Sequence, residues 1–179
     1  MSPIRLTPTS YIVLGLIEQR GVATPYDLKR AVAVGIGDFW SLQHAQLYAE
    51  PERLAGAGYL TETREHTGRR RKRYELTAAG QQALDDWRSA PTSELPELRD
   101  VALMKLYFGA QDTGLAQAQL AAHRDKLEEY EWLQRQAGDH LPTGPKAALR
   151  AGIAHERAWV RFWGALTPEE PDNDRGVPA

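Results

Sequence analysis

Apolar positions fall into two regimes along the chain. As far as about Trp87 they come in short bursts separated by glycine- and proline-bearing turns; beyond Leu98 they recur at helical spacing over much longer stretches. The first burst, Ile12, Val13, Leu14, Leu16 and Ile17, is dense enough for a buried helix. Thr7 is placed to cap its N-terminus, Pro8 occupies the first turn, where its missing N–H costs nothing, and Gly21 closes it. Thr24-Pro25 repeats that start signal, with Asp27 in the first turn favourable to the helix dipole, and a second helix runs through Leu28, Ala31 and Val32 to Gly35-Ile36-Gly37. A third helix is predicted from about Ser41 to Ala57. Leu47 and Leu54 mark its core side, so Ser41, Ala45, Tyr48 and Ala49 point outward with His44 and Gln46 on the flanks. Pro51 removes one backbone bond and predicts a kink or break near Tyr48 to Pro51. Phe39 and Trp40 read as core packing just ahead of this helix.

Gly56 and Gly58 permit the helix to exit, and Tyr59 to Glu65 then alternates in strand fashion. The return run Arg73 to Thr77 places Tyr74 and Leu76 on one face. Thr67-Gly68 supplies the turn, so the cations Arg69, Arg70, Arg71, Lys72 and Arg73 sit at or next to its tip. A fourth helix follows Thr77, with Ala83, Leu84 and Trp87 as its stripe before Pro91. Three short helices followed by a hairpin with a cationic tip make a winged helix-turn-helix. Hydroxyl, amide and imidazole groups can bond base edges and phosphates, and small residues let a backbone approach a groove. The candidate DNA-binding residues are therefore Ser41, Gln43, His44, Gln46 and Tyr48 on the third helix and Arg69, Arg70, Arg71, Lys72 and Arg73 on the wing. Arg70 and Arg71 are expected in the minor groove, with Lys72 and Arg73 on flanking phosphates.

Pro91 to Pro96, with two prolines and small polar residues, reads as a linker. Residues 1–90 then form the DNA-binding domain, 97–166 an all-helical domain, and 167–179 a disordered tail rich in Pro, Asp, Glu and Gly. The second half should hold a helix from about Glu97 to Phe108, a second from Thr113 to about Gln136, and a third from near Pro145 to about Leu166. The second has a stripe of Ala116, Leu120, Leu127 and Tyr130 interrupted by His123 and Gln134; the third has Leu149, Gly152, Ile153, Val160 and Trp163, with Trp159 and Phe162 alongside. Two helices of such length expose more apolar surface than a lone hairpin can bury, which predicts a dimerisation domain. Trp132, Trp159 and Trp163 read first as dimer core and second as walls of an effector site.

Charge refines this picture. The formal net charge of −2 looks wrong for a nucleic-acid binder, but residues 1–90 hold 12 Lys+Arg against 10 Asp+Glu, and the remainder 10 against 14. The positive charge is local, concentrated in Arg64 and the run from Arg69 to Arg73. With no cysteine there is no disulfide framework and no thiolate chemistry. His155-Glu156 is half of a zinc motif, but no histidine follows at the required spacing, so neither metal nor cofactor is expected. Paired carboxylates, nucleophile–base sets and phosphate loops with the necessary spacing are missing, which argues against an enzyme. No signal-peptide core or apolar run of spanning length occurs, so a cytoplasmic protein without a membrane partner is expected.

Phe39-Trp40, His44-Ala-Gln-Leu-Tyr48, Arg53-Leu54, Ala57-Gly-Tyr-Leu60 and the wing from Gly68 to Thr77 resemble, in order and spacing, the PadR-type winged-helix regulators. Leu98-Arg-Asp100, Lys105-Leu-Tyr-Phe-Gly109, Ala122-His-Arg124 and Gly152 to Arg157 are similar to the helical domain of the branch related to virulence activators. The departure is Pro51, where many relatives carry an aliphatic residue. The resemblance implies a homodimeric transcriptional regulator, commonly a repressor, whose paired winged helices read an inverted repeat in double-stranded DNA. Some members respond to a small aromatic or hydrophobic effector. The contrasting reading is a winged-helix protein-interaction module without specific DNA binding; the Arg-rich tip favours the first.

Overall fold

The computed structural model describes residues 4–65, 70–110, 113–138 and 140–167. The chain divides into two units, Met1–Leu95 and Pro96–Ala179.

In the first unit, helix α1 (Pro8–Arg20) leads through a two-residue strand β1 (Val22–Ala23) into α2 (Pro25–Val34), and a 3-10 turn (Ile36–Asp38) precedes α3 (His44–Gly56). Strands β2 (Leu60–Arg64) and β3 (Lys72–Leu76) and helix α4 (Ala78–Ser89) complete it. Both early helices start as their sequences require. Thr7 and Thr24 cap α1 and α2 through reciprocal bonds with Ser10 and Asp27, each with proline in the first turn. The sheet has one strand more than the hairpin expected from sequence: β1 pairs antiparallel with β3, giving the order β1-β3-β2. Two residues are too short to show a period, so only this pairing identifies β1 as a strand.

Val13, Leu14, Ile17, Leu28, Leu47, Leu54, Leu60, Tyr74 and Leu84 close over one core. Removing each such side chain from water contributes about 1.5–3 kcal/mol. Gly80 makes the tightest joint, because α4 crosses the Tyr59 carbonyl at a distance that leaves no room for a Cβ. Two expectations change around α3. The helix runs unbroken through Pro51, whose ring is buried in line with Leu47 and Leu54 on the core stripe, so ring burial offsets the lost backbone bond. Phe39 and Trp40 are not core residues: they are 67% and 42% exposed, and Ile36 and Leu42 pack against the core instead.

The second unit comprises α5 (Val101–Tyr107), α6 (Thr113–Ala137) and α7 (Thr143–Leu166). Helix α5 starts four residues later than the expected Glu97, because Asp100 caps it by accepting from the backbone N–H groups of Ala102 and Leu103 at 2.7 and 3.0 Å. Helices α6 and α7 pack antiparallel, and Gly152 lets the Tyr130 ring approach so closely that a Cβ there would lie 2.9 Å from Cε2. The interruption of the α6 stripe at His123 has a partner. Glu156, buried on α7, meets His123 Nδ1 at 2.6 Å, so two polar groups satisfy each other inside the hairpin. Among the described residues no helix is long and apolar enough to cross a membrane. The tail from residue 168 onward lies outside the described residues.

Candidate nucleic-acid interface

Helix α3 presents a continuous outward arc. Leu47, Pro51 and Leu54 anchor its inner stripe, which leaves His44, Ala45, Tyr48 and Ala49 exposed, with Glu52 one turn further along. Ser41 stands outside this helix, exposed three residues before its first turn; the helix starts at His44 because Gln43 and Gln46 form the start signal. The Gln46 side-chain oxygen accepts from the Gln43 backbone N–H at 3.1 Å, so that oxygen holds the helix end together. His44, Gln43, Ser41 and the half-exposed ring of Tyr48 share the open surface.

Behind this arc, α3 is braced to α1. Ser10 is fully buried and donates to Glu50 Oε1 at 2.6 Å, while Arg53 Nη2 donates to Ser10 Oγ at 3.0 Å and to Glu50 Oε1 at 2.6 Å. Arg53 Nε reaches Glu50 Oε2 at 2.9 Å, completing a two-point fork. Burial opposes ionisation of Glu50, but the bonds from Arg53 and Ser10 outweigh it and hold the carboxyl below its ordinary value. Sequence reasoning missed this brace. The i,i+3 spacing of Glu50 and Arg53 was legible, whereas the contribution of Ser10 arises only from the packing of α1 on α3.

The pleat of the wing sorts its charges. Even-numbered residues of β2 and β3, namely Leu60, Glu62, Arg64, Lys72, Tyr74 and Leu76, share the inner face, and Thr61, Thr63, Arg73 and Glu75 face outward. Arg70, Arg71 and Arg73 are exposed and make no ion pair among the described residues; Arg70 takes a left-handed conformation with φ 49°. Lys72, expected among the phosphate-contacting cations, is not free. Its Nζ lies 2.5 Å from Glu52 Oε1 and 3.4 Å from Glu62 Oε2. The hydrogen bond to Glu52, against a smaller desolvation and with help from Glu62, holds the ammonium above its ordinary pKa. Tyr74 also donates to Glu62, at 3.1 Å, and burial together with that carboxylate pushes its hydroxyl up. Arg69 and the turn at Thr67-Gly68 lie outside the described residues.

In the second unit the three tryptophans separate. Trp163 is fully buried among Ala102, Ala116 and Leu120, and its Nε1 has no acceptor among the described residues. Trp159 stacks on Trp163 at 6.3 Å and on His123 at 5.6 Å, and donates to His155 Nε2 at 2.8 Å. Trp132 is half exposed and takes no part in that ring cluster.

Residues 13–86 match the family profile described as Transcriptional regulator PadR-like family, and residues 98–164 match the one described as Virulence activator alpha C-term. Over the first of these stretches the chain is similar to the PadR-like family of transcriptional regulators, and over the second to the C-terminal domain of virulence activators. The Negative transcriptional regulator PadR of Bacillus subtilis (strain 168) is 35% identical over 102 residues, or 55% of this PadR-like chain and 54% of that protein. The match thus spans about half the length of that relative. Bacillus subtilis PadR in complex with operator DNA superposes with a TM-score of 0.80 at 24% identity, covering 92% of this chain and 97% of that one. Its complex with p-coumaric acid superposes at 0.73 and 23% identity, covering 90% and 96%. The Vibrio cholerae virulence activator AphA gives 0.66 at 22% identity, covering 88% and 95%. These likenesses establish the fold over both units, a winged helix followed by a helical domain. The proteins that the chain resembles are regulators rather than enzymes.

Proposed function

We propose that this PadR-like chain is a sequence-specific DNA-binding regulator, acting as a homodimeric repressor on an inverted repeat. One observation carries the reading: the outward arc of α3, with Gln43, His44 and Tyr48, stands beside a wing whose Arg70, Arg71 and Arg73 are exposed and unpaired among the described residues. Helix and wing together suit a major groove and the backbone and minor groove next to it. The relative solved with operator DNA supports the same use of the fold. Dimerisation is supported by apolar side chains that a single chain leaves open, Val101, Met104 and Phe108 at helical spacing and Phe162 and Leu166 on α7. Two copies would set their α3 helices about one DNA turn apart, roughly 34 Å. A small aromatic effector, of which p-coumaric acid in the Bacillus subtilis relative is an example, would act by favouring a dimer of different spacing. Trp159, half buried beside His123, is the best-placed side chain to meet one; Trp163 and Trp132 are the other two candidates.

The test is titration of a labelled duplex from upstream of the protein's own gene against random duplex over a range of salt. Specific binding that falls steeply with salt is expected. Replacing Arg70 and Arg71 by alanine should weaken binding, flatten the slope of log K against log salt by up to about 1.8, about 0.9 for each counterion a guanidinium displaces from the minor groove, and leave the oligomeric state unchanged. Unchanged affinity in that variant would remove the wing from the interface. No binding even at low salt would favour a protein-interaction module instead.

A further inference from the structure

The cationic run of the wing is not one patch. Alternation along β3 sends Arg73 to one side and Lys72 to the other, where the core ends and α3 passes. There Lys72 forms one group with Glu52 of α3 and Glu62 of β2, and Arg64 Nε closes it at 3.2 Å from Glu62 Oε1. Two ammonium or guanidinium groups face two carboxylates, so the group is neutral. Glu52 lies one turn beyond Tyr48 on the outward arc of α3 and is half exposed. A carboxylate on that arc would repel phosphates if it were left unpaired.

We propose that Glu52 and Glu62 clasp Lys72 and so fix the wing against α3, making Glu52 and Lys72 positioning residues for DNA specificity rather than DNA contacts. This inference rests on the DNA-binding reading above. The clasp has two effects. It keeps the tip arginines at a set distance from the α3 arc, so that both elements fit only duplexes whose grooves match that spacing. It also withholds one cation from the phosphates, which trims affinity for every sequence alike and leaves more of the binding to the groove-reading residues.

Two experiments on the full chain separate failure of the clasp from failure of the DNA-binding reading. The first needs no DNA. A carbodiimide activates a carboxylate, and an amine in contact with it attacks to form an amide with net loss of water. Peptides carrying Lys72 joined to Glu52 or Glu62 are expected in the digest of the free protein, and the Glu52 link should vanish in E52Q. Neither link forming would overturn the clasp, whatever the protein does with DNA. The second compares salt slopes. In E52Q Lys72 keeps only its longer contact to Glu62 and can reach a phosphate, so the slope should steepen by about 0.9 and random-duplex affinity rise about eightfold at 0.1 M salt; specific affinity should rise less, because the wing is no longer held at its set distance, so the ratio of specific to random binding narrows. Adding K72M to E52Q should cancel the change in slope. A merely structural role of Glu52 would alter stability without moving the slope. An E52Q protein with unchanged slope and ratio would overturn the proposal, and so would relaxed preference at a single base pair, since Glu52 would then be reading a base edge. If the wild-type chain binds no duplex while the Lys72 links form, the clasp stands as geometry and the DNA-binding reading fails.

Discussion

Replacing Gly80 by alanine tests the joint that fixes the wing to the rest of its unit. The new Cβ would sit 2.9 Å from Leu76 Cδ2 and 3.1 Å from the Tyr59 carbonyl carbon, with the Tyr59 oxygen much closer still. Non-bonded carbon and oxygen atoms settle at more than about 3 Å, so α4 and the backbone at Tyr59, just before β2, must part by about 1 Å. Leu76 can yield, but the Tyr59 carbonyl cannot, because it accepts from Thr77 N at 3.1 Å while Thr77 Oγ1 donates to Gly58 O at 2.7 Å. Overpacking of this kind costs about 1–3 kcal/mol, and a weakened bond adds about 1 kcal/mol. Alanine returns up to about 1 kcal/mol of helix propensity. The net loss is about 2 kcal/mol, or roughly 10 °C in the melting temperature of a unit this size. Calorimetry on the full chain should show the transition of the N-terminal unit falling by that amount and that of the C-terminal unit unmoved. Gly15→Ala is the control: its Cβ on α1 meets nothing within 4 Å, so the same chemical change should raise stability by up to about 1 kcal/mol. A Gly80→Ala protein as stable as the wild type would refute the packing described for Tyr59 and α4.

Other outcomes follow from the same geometry. Gly152→Ala should loosen the α6–α7 hairpin by about 1–2 kcal/mol, less than at Gly80 because the obstacle is the Tyr130 ring; Tyr130→Ala in the same chain should recover part of the loss, and calorimetry of the C-terminal transition reads both. Acid should destabilise the first unit. Arg88 lowers the carboxyl pKa of Glu18 against partial desolvation, and Arg53 with Ser10 outweighs burial at Glu50, so both lie below 4.5 when folded. Their stabilisation is complete above the unfolded value and is lost as pH falls through the folded values, so urea midpoints should decline below about pH 4.5, and less steeply in Glu50→Gln. An acid limb identical in Glu50→Gln and wild type would show that the Ser10–Glu50–Arg53 brace contributes nothing to it.

Local chemistry made much of the fold legible. Thr7-Pro8 and Thr24-Pro25 announce helix starts because capping uses neighbours along the chain, and the α6 and α7 stripes are visible because 24 or 25 residues repeat one period many times. Boundaries failed where the start signal lay inside the apolar pattern, as at Asp100 for α5 and Gln43 for α3. The candidate interface was legible as a list of residue types on one helix and one hairpin. Which of those side chains are free was not: Lys72 is held by Glu52 and Glu62, which no sequence rule connects to it, and the Gln46 oxygen is taken up at the start of α3, a boundary the apolar pattern misplaced.

By itself, then, the sequence determined the helices, the hairpin and the placing of cations at its tip, all of which depend on residues within one or two turns of one another. The tertiary structure alone decided that β1 joins the sheet, that Ile36 and Leu42 displace Phe39 and Trp40 from the core, and that Pro51 is tolerated inside α3. It also decided that Lys72 turns from its neighbouring arginines toward Glu52, 20 residues earlier in the chain. Such choices depend on which surfaces meet when elements pack, and the local pattern carries no record of that.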